Sequence, residues 1–169
     1  LQSLLESDHE LIRRLQAYSA NLFIHSMRVS VMSMRVAQKM GYNSLLAKAG
    51  GMYHEIGRIK NNEDYIEATN DISYAYDFPK CLTDVILQNC DKEQNLESRE
   101  AVIVMLSDSI VSMAEYFIRN KDKTKPSKEK LIDSVFANRQ KKGNFDYCDI
   151  SGEELEEIKK IYKNINMDF

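Results

Sequence analysis

The chain contains three histidines in 169 residues, and two of them occupy positions where an imidazole needs a reason to be. His25 falls between Leu22 and Val29 on the apolar stripe of a helical pattern, so its nitrogens face inward and require partners there. A hydrogen bond to a backbone carbonyl would meet that requirement without any chemistry. Asp108 narrows the choice. It lies four residues after Val104, three after Met105 and three before Val111, on the inward stripe of a second apolar segment. An unpaired carboxylate there costs several kcal/mol and needs a cation or several donors. His54 and Glu55 add an adjacent imidazole and carboxylate at the end of a third helical pattern. Consecutive helical side chains diverge by about 100°, yet both reach an ion lying beside the axis. Two imidazoles and two carboxylates make a mixed nitrogen and oxygen set that suits one divalent ion (Mn, Fe, Co, Ni, Mg or Zn) with positions left for water. Such an ion lowers the pKa of water to about 7 and polarises a phosphoryl oxygen, and both effects promote phosphoester hydrolysis. The alternative at this point is a structural helical bundle whose polar residues satisfy one another.

The elements that must position these residues are helical throughout. Asp8 is expected to cap a first helix ending near Tyr18. Leu22, His25, Val29, Met32, Val36 and Met40 recur at three and four positions and trace one face of a second helix, which Gly41 stops. Asn43 caps a third helix from Ser44 to Ile56, with Gly57 as a left-handed terminator and His54 and Glu55 in its last turn. The polar stretch from Asn61 to Asp77 reads as a short or irregular helix. Pro79 suits the first turn of the next helix, which ends near Cys90. Glu97 or Ser98 opens a long apolar helix from about Arg99 to Arg119, expected at the centre of the bundle and carrying Asp108. A basic linker, a helix capped by Ser127 and ended by Gly143, and a last helix opened by the capping box of Ser151 and Glu154 complete the chain.

Composition agrees with one all-α domain over residues 1–169, a bundle of about seven helices. Only two prolines and six glycines argue against many strands and turns. A net charge of −3 offers no long-range attraction to a phosphate backbone, which disfavours a nucleic-acid duplex as partner. Three cysteines without a CxxC pair suggest neither a disulfide framework nor a zinc ribbon, and fit the cytoplasm. The longest aliphatic run, Ala101 to Leu106, is too short to span a bilayer, so no membrane insertion of this segment is expected. The chain opens at Leu1, which leads to the expectation of upstream residues, a membrane tether among the alternatives.

The order of the candidate residues carries more information than their spacing. His25 comes first, then His54 and Glu55 within Tyr53-His54-Glu55-Ile56-Gly57-Arg58, then Asp108 in the long helix. In this the chain resembles the HD phosphohydrolase superfamily. It looks most like the cytoplasmic HD domain of bacterial seven-transmembrane HD receptors, whose characterised members hydrolyse cyclic di-AMP. The likeness runs from His9-Glu10-Leu11-Ile12-Arg13-Arg14-Leu15 and His25-Ser26-Met27-Arg28-Val29, through Ala101 to Ser109, to Gly143-Asn144-Phe145-Asp146.

The resemblance implies that His25, His54, Glu55 and Asp108 are metal ligands, with Glu55 in place of the usual Asp. It implies that Arg58, where Lys is common, faces a phosphate as a planar fork in place of a point charge. It also makes His9 a substrate-binding or supporting residue, although a surface histidine at a helix start is the plainer reading. Further histidines that complete a two-metal site in the cyclic-dinucleotide enzymes correspond here to Tyr65, Asn89 and Cys90, which leaves one metal. The expected function is therefore hydrolysis of a nucleotide or cyclic dinucleotide at a mononuclear site, with Glu55, Asp108 and Arg58 taking part in catalysis. The alternative is a degenerate HD domain kept as a nucleotide-sensing or protein-interaction module.

Overall fold

The computed structural model describes residues 1–60 and 63–166. Among them are eight α-helices and no strand: α1 (Glu10–Tyr18), α2 (Ala20–Met40), α3 (Ser44–Tyr53), α4 (Tyr65–Ala75), α5 (Lys80–Cys90), α6 (Arg99–Arg119), α7 (Lys128–Lys141) and α8 (Gly152–Asn164). The all-α bundle expected from the sequence is what forms. The count exceeds seven because the stretch read as short or irregular contains a regular helix, α4, whose N-terminus Asp64 caps by accepting from the Glu67 N–H. Residues 61 and 62 of that stretch lie outside the described residues.

Side-chain caps define most of the helix starts. Asn43, Ser98, Ser127 and Ser151 each accept a backbone N–H of the first turn, and Ser151 with Glu154 forms the reciprocal box. Gly41 follows α2 with a left-handed φ of 72°. Two local expectations are corrected. His9, not Asp8, caps α1, with its Nδ1 accepting from the Leu11 N–H at 3.1 Å. The third helix stops at Tyr53; His54 is its C-cap and a 3-10 turn over Ile56–Ile59 follows. Gly57 is not left-handed. It is needed for closeness instead, because a Cβ there would lie 2.8 Å from the Tyr65 carbonyl oxygen.

α6 is the centre of the bundle and packs on α2, α3, α5 and α7, with every residue from Ala101 to Ser107 buried. By length and composition α6 could cross a membrane, with a mean hydropathy of 1.6, which the short run Ala101–Leu106 did not suggest. The neighbouring helices bury its apolar residues from Ala101 to Leu106 with Ile110, Val111 and Ala114, while Tyr116 and Ile118 near its end stay exposed. Tyr162 of α8 locks onto it, donating to the Ile103 carbonyl at 3.0 Å and accepting from Ser107 at 2.8 Å.

The pair that matters most for the site is α2 and α3. They meet with no side chain between them at Gly51, where an added Cβ would lie 2.7 Å from Ser30 Cα and 2.8 Å from Ser30 N. The Ser30 hydroxyl donates to the Lys48 carbonyl at 2.7 Å and fixes the register. Gly51→Ala pushes backbone against backbone and is expected to lower unfolding free energy by roughly 1–3 kcal/mol. Gly152→Ala, with nothing within 4 Å of its Cβ, is expected to change it by less than about 0.5 kcal/mol. Urea denaturation of the two variants tests the contrast, and equal stabilities would contradict it.

Candidate metal centre

Three helices each bring one ligand to a common point. His25 projects from the second turn of α2, His54 from the C-terminus of α3 and Asp108 from the middle of α6. The imidazole centroids are 5.5 Å apart. Asp108 Oδ1 lies 3.0 Å from His25 Nε2 and 3.5 Å from His54 Nε2, and one ligand atom from each residue falls within 4.8 Å of the others. His54 Nδ1 donates to the Gly51 carbonyl at 2.7 Å. That bond sets the tautomer, because a carbonyl only accepts, so Nε2 carries the lone pair. This Nε2 is buried and has no hydrogen-bond partner. A buried imidazole nitrogen facing a carboxylate and a second imidazole is what a divalent ion would satisfy, and the donor set fits the borderline metals expected from the sequence.

Behind His25 stands a residue that is not among the candidates expected from the sequence. Glu115, 14% exposed, accepts from His25 Nδ1 at 3.0 Å through Oε2, and its Oε1 accepts from Arg28 at 2.9 Å. A carboxylate behind a ligating histidine orients the ring and raises its basicity. Ser112 also donates to Asp108 Oδ1, at 3.1 Å. The signal was available, since positions 108, 112 and 115 share one face of a helix at spacings of four and three.

These contacts set the charges of the metal-free site. Burial opposes protonation of His25, but Asp108 and Glu115 outweigh it and push its pKa up to about 8. Burial likewise opposes the charged form of His54, and Asp108 again prevails, so that pKa is raised. Burial would raise the Asp108 carboxyl, yet the hydrogen bond from His25 and the His54 imidazole 3.5 Å away hold it well below the usual carboxylate range.

Glu55 and Arg58 stand apart from the three gathered ligand atoms. Arg58 Nη1 donates to Glu55 at 3.3 Å, and the two line both cavities that flank the site. One cavity, of about 350 Å³, includes His25, Asp108, Ser112, Glu115 and Arg119. The other, of about 210 Å³, includes His54, Asp108, Tyr65, Thr69, Asn89, Cys90 and Lys92. Tyr65, Asn89 and Cys90 thus face the site, but Asn89 already donates to the Val85 and Ala101 carbonyls at 2.9 and 3.2 Å. Burial also pushes the Cys90 thiol up, away from the thiolate a metal requires. His9 lines neither cavity; its ring caps α1 and packs on Tyr76.

Two measurements follow from this geometry. Glu115→Ala is expected to weaken divalent-ion binding by roughly 10- to 100-fold. Glu115→Gln should weaken it less, because the amide oxygen still accepts from Nδ1; calorimetric titration with Mn²⁺ ranks the variants. A raised His25 pKa means that its charge stabilises the metal-free fold fully below pH 6.5 and that this contribution is lost as pH rises through about 8. Metal and proton compete for Nε2, so apparent Mn²⁺ affinity should rise between pH 6.5 and 8. A flat affinity over that window would contradict the arrangement.

Comparison with known proteins places this geometry in a family. The cyclic-di-AMP phosphodiesterase PgpH of Bacillus subtilis is 24% identical over 212 residues, covering 95% of this chain and 29% of the relative. Ribonuclease Y of Onion yellows phytoplasma is 29% identical over 99 residues, covering 57% of this chain and 19% of the relative. The chain therefore spans less than a third of the length of these curated relatives. Among solved structures, the PgpH HD domain of L. monocytogenes superposes with a TM-score of 0.72 at 20% identity, over 92% of this chain and 96% of that one. The same domain in complex with cyclic-di-AMP gives 0.72 at 19%, over 93% and 96%. At these identities the likeness establishes the fold. The model of the HD domain family matches residues 22–113, more than half of the chain and the whole of the segment that carries His25, His54, Glu55 and Asp108. The chain belongs to the HD domain family.

Proposed function

We propose that this domain hydrolyses a phosphoester bond of a nucleotide or cyclic dinucleotide, using one divalent ion held by His25, His54 and Asp108. The observation that carries this reading is the buried, unpartnered Nε2 of His54, set toward Asp108 and beside His25 by the bond from Nδ1 to Gly51. A divalent ion in such a set supplies Lewis acidity and a nucleophile at neutral pH. The relatives give the direction of the chemistry, since a phosphodiester bond is common to the substrates of a cyclic-di-AMP phosphodiesterase and a ribonuclease.

The chain's own residues divide the remaining work. Arg58 lines both cavities, and its guanidinium offsets charge on a phosphate entering from either side. Glu55 holds that guanidinium at the mouth of the site. Asp108 keeps the two imidazoles turned inward, and Glu115 keeps a proton on His25 Nδ1, leaving Nε2 for the ion. Arg119 adds a second cation to the lining of the larger cavity.

A second reading, binding without turnover, is favoured by one observation. Asn89 is engaged by two backbone carbonyls and Cys90 is held as a thiol, so the smaller cavity offers poor ligands for a second ion. A screen of phosphomonoesters, nucleotides, cyclic dinucleotides and a short RNA with Mn²⁺, Fe²⁺, Co²⁺ or Mg²⁺ separates the two. The expected result is turnover that falls by more than roughly 100-fold in His54→Ala, beyond the loss typical of a residue outside the coordination shell. Tight binding without turnover under every metal would establish the second reading. Neither binding nor turnover would overturn both.

A further inference from the structure

Beside the smaller cavity, and sharing Asn89 and Lys92 with it, lies a cleft of about 430 Å³. Three cations line it, Lys92, Arg139 and Lys142, against a single carboxylate, Asp91. Among the described residues none of the three cations forms an ion pair. In a chain of net charge −3 such a local excess is not a by-product of composition.

Arg139 is the informative member. It leaves α7 half-buried against α6, where Nε and Nη2 both donate to Ser109 Oγ, at 3.0 and 2.7 Å. The Ser109 hydroxyl gives its own proton to the Met105 carbonyl at 2.8 Å, so toward Arg139 it acts only as an acceptor and fixes the plane of the guanidinium. Nη1 reaches only Asn144 Oδ1, at 3.4 Å, near the limit for a hydrogen bond. The guanidinium hydrogen-bonds only to neutral groups and keeps donors to spare, and Asp108 is the one carboxylate whose charge reaches it. Asp108 offsets the cost of burying this cation only in part, so a further anion in the cleft is favourable. Ser109 directly follows Asp108, so the guanidinium is anchored to the same turn of α6 as the metal ligand. Lys92 lines both cavities.

We propose that this cleft is a specificity subsite for a second phosphate, which Arg139 grips as a fork and Lys142 as a point charge while the scissile phosphate lies at the metal centre. The buried side chains of Leu96 and Met105 supply an apolar floor between the charges for the attached nucleoside. The preferred ligand then carries two phosphates joined through nucleosides, and a nucleoside monophosphate fills only one half of the surface. This inference rests on the phosphohydrolase reading for the place of the first phosphate.

The test is calorimetric binding, to the Mn²⁺-loaded protein, of a phosphorothioate cyclic dinucleotide and of the corresponding nucleoside monophosphate. The quantity read is the ratio of the two affinities. Arg139→Gln should reduce the ratio roughly tenfold, the loss of a charge-assisted contact. Lys142→Gln, at an exposed position that folding does not depend on, should reduce it by about two- to fivefold. An unchanged ratio in both variants overturns the proposal. So does an equal loss for both ligands accompanied by weaker Mn²⁺ binding, which would make Arg139 a partner of Asp108 instead. Failure of the wild type to bind the dinucleotide overturns it as well. A dinucleotide that binds with the predicted sensitivity but is never cleaved leaves the subsite standing and removes only the hydrolytic reading.

Discussion

The contact of α2 with α3 at Gly51 is the constraint on which the site depends. With Ser30 backbone atoms under 3 Å from where a Cβ would stand, the two helices meet backbone against backbone. His25 lies upstream of Ser30 on α2, and His54 lies one turn after Gly51 on α3. The close approach therefore becomes a ring-to-ring distance of 5.5 Å. The Gly51 carbonyl then takes the Nδ1 proton of His54, so the residue that permits the crossing also chooses the tautomer. Gly50 plays the matching part on the other side of α3, where Val85 of α5 and Val104 of α6 close in.

Asp108 gives this arrangement its electrical character. A carboxylate between two imidazoles is stable in either of two ways: protons on the rings, or a cation shared among all three groups. Protons on the rings account for a raised His25 and a depressed Asp108 in the metal-free protein. Glu115 and Arg28 extend the alternation of charge away from the site, so that a buried histidine is never left against an unbalanced carboxylate. The price in stability of gathering these groups is met by the packing of α6, whose apolar residues before Asp108 are all buried.

Around this centre the surroundings are uneven. On the α2 side, Glu115, Ser112 and two arginines make a polar cavity. On the α4 and α5 side, Tyr65, Thr69, Asn89 and Cys90 replace strong metal donors with groups that bond to the backbone or stay neutral. The asymmetry is the reason for proposing a single ion and for placing the organic part of the proposed ligand on the second side. The basic cleft around Arg139 shares Asn89 and Lys92 with that side.

How much of this could be read along the chain follows from the range of each interaction. Caps, glycine stops and the apolar stripes of α2 and α6 act within a few residues, so the bundle and the inward placement of His25 and Asp108 were legible from the sequence. The end of α3 was not, because the 3-10 turn that follows it seats Gly57 against the Tyr65 backbone, a contact that helical periodicity does not reveal. For the same reason Glu55 looked equivalent to His54. The change to a 3-10 turn after His54 sends the carboxylate to Arg58 and leaves the imidazole with Asp108. Glu115 was legible in principle from its spacing to Asp108, but nothing local could show that His25 stands opposite it, 90 residues away. Which residues face inward, and in what order they come, is a matter of periodicity along the chain. Which of them meet is a matter of packing, because the distance between side chains on different helices depends on how closely the backbones can approach, and here that is set by a glycine at the crossing.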